Sequence, residues 1–288
     1  MVALCLACSS DNDDYTPNEG SNIVFGANIE TTRADINNIK GEGFKVWGGF
    51  GSTTVFNGTN ITLGSNSTHN TGVAWTFNTY NFYAVYPTTV AATYTAPSTF
   101  TISNYNIKEK QNTDLLIASA TGHIYPDNGD AVGLYFTHAL AKLEFVGKSN
   151  TSTAMPMLKN ISVYGEGTPA TATYNNSQEW TLNSATTQAA PLFTDDNNDA
   201  GWNLSDKGTT VASNILVFPK PSTKNVNVDL TVFNGSTTET RTITIPAAEW
   251  EAGKIYRYTF TIDPNNDISI TLKIKKWNEL DSSYNITF

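Results

Sequence analysis

Side chains able to attack a bond, hold a metal or relay a proton are few in this chain of 288 residues, and they lie far apart. The three histidines, His69, His123 and His138, fall in different strand and turn contexts with no obvious companions. His138, inside the segment Phe-Thr-His-Ala-Leu-Ala-Lys-Leu-Glu-Phe (136–145), reads as a hydrogen-bonded structural residue. No His-Glu-x-x-His zinc helix, glycine-rich phosphate loop or Gly-x-Ser-x-Gly nucleophile turn occurs. Asp195, Asp196 and Asp199 could offer hard oxygen ligands to calcium, but their spacing fits no defined calcium loop and reads as a solvated turn. No two carboxylates single themselves out for glycoside hydrolysis. We expect no catalytic residue, no metal and no cofactor: the chain is not an enzyme.

Both cysteines, Cys5 and Cys8, stand at the amino terminus, so the body of the protein has no disulfide framework, thiol nucleophile or thiolate zinc site. Stability has to come from an apolar core. The opening Met-Val-Ala-Leu-Cys-Leu-Ala-Cys-Ser-Ser-Asp is a short apolar run with a small residue, Ala7, before Cys8. It resembles the end of a bacterial lipoprotein signal, in which the cysteine becomes the lipidated first residue of the mature protein. Residues 1–20 are then a signal remnant followed by an acidic tether. A diacyl plus amide-linked chain on Cys8 is expected to anchor the protein in the outer membrane, each buried methylene adding about 0.8 kcal/mol.

Aromatic side chains are the remaining candidates for ligand contact. Trp75, Trp180 and Tyr80 read as core residues of strands, and Trp250 and Trp277 as structural. Trp202 differs: it sits in the polar stretch Thr-Asp-Asp-Asn-Asn-Asp-Ala-Gly-Trp-Asn-Leu-Ser (194–205) without a periodic partner. It is the possible ligand contact, with a cap over the second domain's core as the alternative.

The elements that must position these residues are strands. Charged residues are only 15% of the chain, well below the ~25% usual in soluble domains, and Thr, Asn and Ser fill the gap. Thr favours strands, while Asn and Ser favour the turns between them. The net charge of −9 repels nucleic-acid phosphates, and no basic stripe relieves that, so a nucleic-acid partner is not expected. Ile23, Phe25, Ala27 and Ile29 alternate with Val24, Gly26 and Asn28, the signature of a strand with one buried face. Further strands are predicted at 44–50, 55–63, 75–86, 99–102, 115–119 and 134–146, with turn signals at Asn57-Gly58, Tyr86-Pro87 and Pro126-Asp127-Asn128-Gly129. Alternation lapses over 147–157, which reads as a boundary between an N-terminal domain (21–147) and a C-terminal one (148–288). A second series follows at 158–164, 172–174, 180–182, 214–218, 226–233, 239–245, 254–262 and 268–274, with a hairpin signal at Asn234-Gly235. The fold class is all-β, built of Greek-key sandwiches.

Four segments, met in this order, carry a resemblance: Thr-Thr-Arg-Ala-Asp (31–35), the 136–145 segment above, Glu-Trp-Glu-Ala-Gly-Lys-Ile-Tyr-Arg-Tyr-Thr-Phe-Thr-Ile (249–262) and Lys-Ile-Lys-Lys-Trp (273–277). The region of Leu115–Ala118 after Asp114 is similar too. Behind a lipidation site, the chain resembles the fimbrillin-like, type V pilins of anaerobic bacteria. The resemblance implies two tandem transthyretin-like sandwiches and secretion as a lipidated precursor. It implies cleavage by an Arg-specific protease, here between Arg33 and Ala34. It also implies partnership with other pilin subunits at the cell surface by strand addition, and a surface ligand on host or bacterium. Arg33 suits that role. Of the three arginines, Arg241 and Arg257 lie in predicted strands, whereas Arg33 lies in a polar run. Cleavage there releases the strand bearing Ile23, Phe25, Ala27 and Ile29, leaving an apolar slot and unpaired edges that favour a replacement. The candidate donor is the carboxyl-terminal Tyr284-Asn285-Ile286-Thr287-Phe288, whose Tyr284, Ile286 and Phe288 alternate with polar residues. It is shorter than the strand it would replace, which leaves open a minor, tip or anchor subunit, or an uncleaved member that keeps its own first strand. A monomeric surface lipoprotein that binds glycans through its loops is the alternative.

Overall fold

The alternating segments form strands, and the polar Asn, Gly and Ser clusters form their turns. The computed structural model describes residues 21–29, 39, 41–111, 113–124, 130–150, 156–176, 179–183, 191–196, 200–245, 248–263, 267–277 and 284–287, with backbone alone at 28–29, 196 and 284–287. The first strands are β1 (Asn22–Ile29), β2 (Phe44–Phe50), β3 (Thr53–Ile61), β4 (Thr68–Ala74), β5 (Tyr80–Tyr86), β6 (Thr93–Thr95) and β7 (Thr99–Asn106). Next come β8 (Leu116–His123), β9 (Val132–His138), β10 (Ala141–Ser149), β11 (Met157–Tyr164), β12 (Thr171–Asn175), β13 (Trp180–Leu182) and β14 (Phe193–Asp196). The last are β15 (Trp202–Asn203), β16 (Thr209–Val217), β17 (Val226–Phe233), β18 (Thr238–Ile245), β19 (Lys254–Ile262), β20 (Ile268–Lys276) and β21 (Tyr284–Thr287).

Seven strands in the order β3-β2-β5-β8-β9-β1-β4 make the first sheet. It folds back on itself, because Phe25 of β1 packs edge-on against Phe56 of β3 and Phe82 of β5, with ring centroids 5.4 and 5.1 Å apart. The turn-over falls at β8 and β9, which pair only at Leu116↔His138 and Ile117↔Thr137 before diverging. One apolar core, containing Ile23, Phe25, Phe44, Phe56, Phe82 and Phe136, lies inside.

A second core fills the rest of the molecule between the sheet β16-β10-β19-β20-β21, the sheet β14-β11-β17-β18 with β15 at β11, and the sheet β13-β12-β7-β6. This last sheet joins β6 and β7 from the first half to β12 and β13 from the second, β7 pairing with β12 from Thr171↔Asn106 to Asn175↔Thr101. The outer face of the first sheet enters the same core through Trp47, Tyr83 and Val85. Tyr83 stacks on Phe100 of β7 at 4.9 Å. Strand β5 is therefore covered on both faces, which is why it reads Tyr-Asn-Phe-Tyr-Ala-Val-Tyr rather than alternating.

Three sequence expectations are corrected. The segment 134–146 is two strands: β9 belongs to the first sheet, whereas β10 pairs with β16 and β19. The change falls at Ala139-Leu140, both buried, where three successive buried residues with Ala141 reverse the inward parity. Asn57-Gly58 is not a turn but lies inside β3, where the register steps from Val46↔Thr59 to Trp47↔Asn57. Gly58 has φ +74 and the Trp47 ring rests on it, 3.3 Å from where a Cβ would stand, so a β-bulge uses both properties of glycine. Asp195 and Asp196, read as part of a solvated turn, belong to β14, and the polar stretch 194–205 also contains β15. The Asn234-Gly235 hairpin joins β17 and β18 as expected, with Gly235 at φ +98.

Candidate functional site

Strand β1 is held on both sides. It pairs in parallel with β9 from Phe25↔Val132 to Ile29↔Phe136, and antiparallel with β4 from Asn22↔Ala74 to Gly26↔Thr68. Thr71 Oγ1 donates to the Ile23 carbonyl at 2.8 Å and Trp75 N–H donates to Ser21 O at 3.0 Å. Ile23 and Phe25 have no exposed surface, and Ala27 is half-buried against the same core. Burying the two large side chains stabilises the fold by roughly 1.5–3 kcal/mol each. Of Ile29 the backbone pairing alone is described.

The candidate donor strand occupies an edge. β21 pairs antiparallel with β20 from Thr271↔Thr287 to Ile274↔Tyr284, bringing Ile286 opposite Leu272. Cys8, Arg33, Ala34, Asp199 and Phe288 lie outside the described residues.

Sequence-distant segments converge where the two halves meet. His138 is buried, its Nδ1 hydrogen-bonded to the Asp114 carboxylate, and its ring lies flat on Trp277 with centroids 4.0 Å apart. On Trp277 also rests the Lys142 ammonium, 3.9 Å from the ring centroid. Gly253 N–H donates to Leu140 O and Trp277 N–H to Gly253 O, both at 2.9 Å. His138, Leu140, Lys142, Gly253 and Trp277 thus lock three of the four resemblance segments together, a use of these residues for assembly of the fold. Trp250 is buried and its indole N–H donates to Tyr258 at 3.0 Å.

The remaining chemical candidates separate. His69 Nδ1 lies 2.8 Å from Thr62 O, while His123 sits near Trp75, where burial lowers its pKa. Asp195 and Asp196 lie side by side on β14, opposite Ile161 and Asn160. Among the described residues no group of three metal-ligating side chains forms. Trp202 does not stand in an open loop: in β15 it pairs with Leu158 and packs, half-buried, against the second core. The capping role expected as its alternative is the one its position fits. Sequence reasoning missed Lys220, which is 4% exposed with its Nζ donating to Ala248 O at 2.6 Å. Only the unusual Lys between two prolines, Pro219 and Pro221, hinted at it.

A family profile described as fimbrillin-like matches residues 32–277, spanning the converging segments and, apart from Ile23 and Phe25 of β1, both cores. The chain belongs to the fimbrillin-like family. Solved structures agree in fold. A fimbrial protein from Bacteroides vulgatus superposes with a TM-score of 0.65 at 15% identity, covering 89% of this chain and 100% of its own. A candidate cell adhesion protein from Bacteroides uniformis gives 0.55 at 20% identity, covering 89% and 98%. Another from Parabacteroides distasonis gives 0.57 at 10% identity, covering 92% and 100%. No curated protein sequence matches this fimbrillin-like chain. Family membership makes it a structural protein and not an enzyme.

Proposed function

We propose that this chain is a fimbrial subunit or adhesin at the bacterial surface, anchored in the outer membrane through a lipidated Cys8 and assembled by strand exchange. An Arg-specific protease cuts between Arg33 and Ala34, β1 departs, and the carboxyl-terminal Tyr284–Phe288 of another pilin subunit enters its place. The observation that carries this reading is the seat of β1. It is an interior strand, so its loss unpairs β4 and β9 together and uncovers the sites of Ile23 and Phe25. A slot with two bare edges and apolar pockets at alternate positions is what an incoming strand satisfies, backbone groups supplying affinity and side chains register. As the outermost strand of its sheet, β21 is tied through β20 alone, so it can leave by giving up one ladder.

The test is limited digestion of the purified chain with an Arg-specific protease, followed by intact mass and native gel. A new amino terminus at Ala34 and a ladder of multimers are expected, and Arg33→Ala stays full-length and monomeric. Deleting residues 284–288 leaves cleavage intact and abolishes the ladder. A trimmed protein that retains β1 and remains monomeric contradicts the proposal.

A further inference from the structure

Where β8 and β9 diverge beyond Ile117↔Thr137, their outer face forms the floor of a cleft. The cleft has a larger part of about 450 Å³ and a smaller part of about 180 Å³, which share Ile117, Thr137 and Tyr174. The larger part falls in the ~300–1,000 Å³ range of small-molecule sites, and the boundary between packed halves is where such sites concentrate. One wall is the β12–β13 hairpin. Trp180 pins it by donating its indole N–H to Ala139 O at 2.8 Å and by packing on Tyr174 and Phe218, 5.2 and 4.7 Å between centroids. The other wall is the bridge between Lys220 and Trp250.

Two features define what fits. The first is Tyr135, 60% exposed and lining the smaller part. Its ring lies over Gly133, whose missing Cβ would stand 3.2 Å from Cε2 and 3.7 Å from Cζ. The glycine leaves room for an exposed ring to lie back along the strand beside the cleft: an aromatic platform. The second is the sign of the rim. Glu179, Glu249 and Glu251 line the larger part, while Lys220 Nζ, which lines it with them, is tied to the Ala248 and Pro221 carbonyls and lies over the Trp250 ring. Ser119, Thr137 and Asn176 add hydroxyl and amide groups to the floor and wall. Anions meet the carboxylates of Glu179 and Glu249 there, Glu251 being paired with Lys254, and purely apolar ligands meet a polar floor.

We propose that this cleft binds a neutral oligosaccharide, one sugar stacked on Tyr135 and the next hydrogen-bonded by Glu179 and the hydroxyl-lined floor. Sugar rings offer an apolar C–H face to an aromatic and hydroxyls to carboxylates and amides, which is the combination this cleft presents. Its platform strand β9 also pairs with β1, Tyr135 standing beside Asn28, but the cleft is complete in the intact chain and needs no strand exchange.

Calorimetric titration of the intact chain with neutral tetrasaccharides of glucose, mannose and N-acetylglucosamine tests this. A sialylated tetrasaccharide and an extended lysine-containing peptide serve as comparisons. At least one neutral sugar is expected to bind saturably. Tyr135→Ala should weaken it about tenfold, the scale of one aromatic contact. Gly133→Ala should weaken it by displacing the ring while keeping it. Glu179→Gln should weaken it several-fold, and Phe77→Ala, exposed but absent from the cleft lining, should leave it unchanged. All four variants should melt near the wild type. No binding by any neutral sugar, binding unaffected in both Tyr135→Ala and Gly133→Ala, or preference for the sialylated sugar or the peptide overturns the proposal.

Discussion

Lys220 and the buried tyrosines set opposite pH limits on this fold. Burial lowers the Lys220 pKa from its ordinary 10.5 to about 8. Between those values the unfolded chain holds a proton that the folded chain has released, so stability rises with pH across that window. The same burial raises Tyr94, Tyr174 and Tyr256 from 10.0 to about 12 and pushes Tyr105 and Tyr258 higher still. Their contribution is complete below pH 10.0, the unfolded value, and is lost above it as unfolded tyrosines ionise first. The melting temperature should therefore climb between about pH 8 and 10 and fall beyond. Lys220→Met keeps the stem that packs on Gly167 and removes the charge, so it should abolish the climb and leave the alkaline fall. Thermal melts of both proteins at half-unit pH steps decide it; a climb that survives in Lys220→Met assigns the effect elsewhere.

At the scale of elements, β1 is where sequence pattern and packing agree most closely. Phe25→Ala removes a fully buried ring that touches Phe56 and Phe82, and should cost about 3–5 kcal/mol by denaturant unfolding. Val24→Ala, on the half-buried side of the same strand, should cost a small fraction of that; equal costs would mean that the strand is not seated as described. Strands like β1, β17 and β19 were legible because one face meets a core and the other does not, so burial writes itself as alternation. Strand β4, Thr-His-Asn-Thr-Gly-Val-Ala, went unread because it is an edge held by its ladder to β1, with almost no side chain buried. The switch from β9 to β10 was hidden since apolar residues continue through it; the run Ala139-Leu140-Ala141 was its one trace. The junction of His138, Asp114 and Trp277 is a tertiary fact between residues as far apart as 114 and 277, and no spacing rule reaches it. The cleft was illegible for the same reason, its floor and walls coming from separate sheets.

For the whole molecule, the decisive feature is that its two halves share hydrogen bonds as well as surfaces. The sheet β13-β12-β7-β6 draws strands from both, and β10, which follows directly on a strand of the first sheet, is the central partner of β16 and β19. A boundary over 147–157 would leave β10 with the first half. A fragment ending at residue 147 then exposes the apolar Trp47, Tyr83, Val85 and Phe100, while the complementary fragment loses the strand between β16 and β19. Neither should fold alone, and the intact chain should unfold in one transition followed identically by tryptophan fluorescence and circular dichroism. Strand exchange sharpens the expectation. Vacating β1 strips the first core, but Tyr83 and Val85 on the other face of β5 keep the remainder fastened to the second core. A chain cleaved at Arg33 should accordingly show two transitions, an early one from the opened first core and a later one near the original. Adding a synthetic peptide of residues 21–29 in excess should merge them, since whatever binds only the folded slot stabilises it by mass action. A cleaved chain that melts as a single unit with or without the peptide would mean that the first core does not depend on β1.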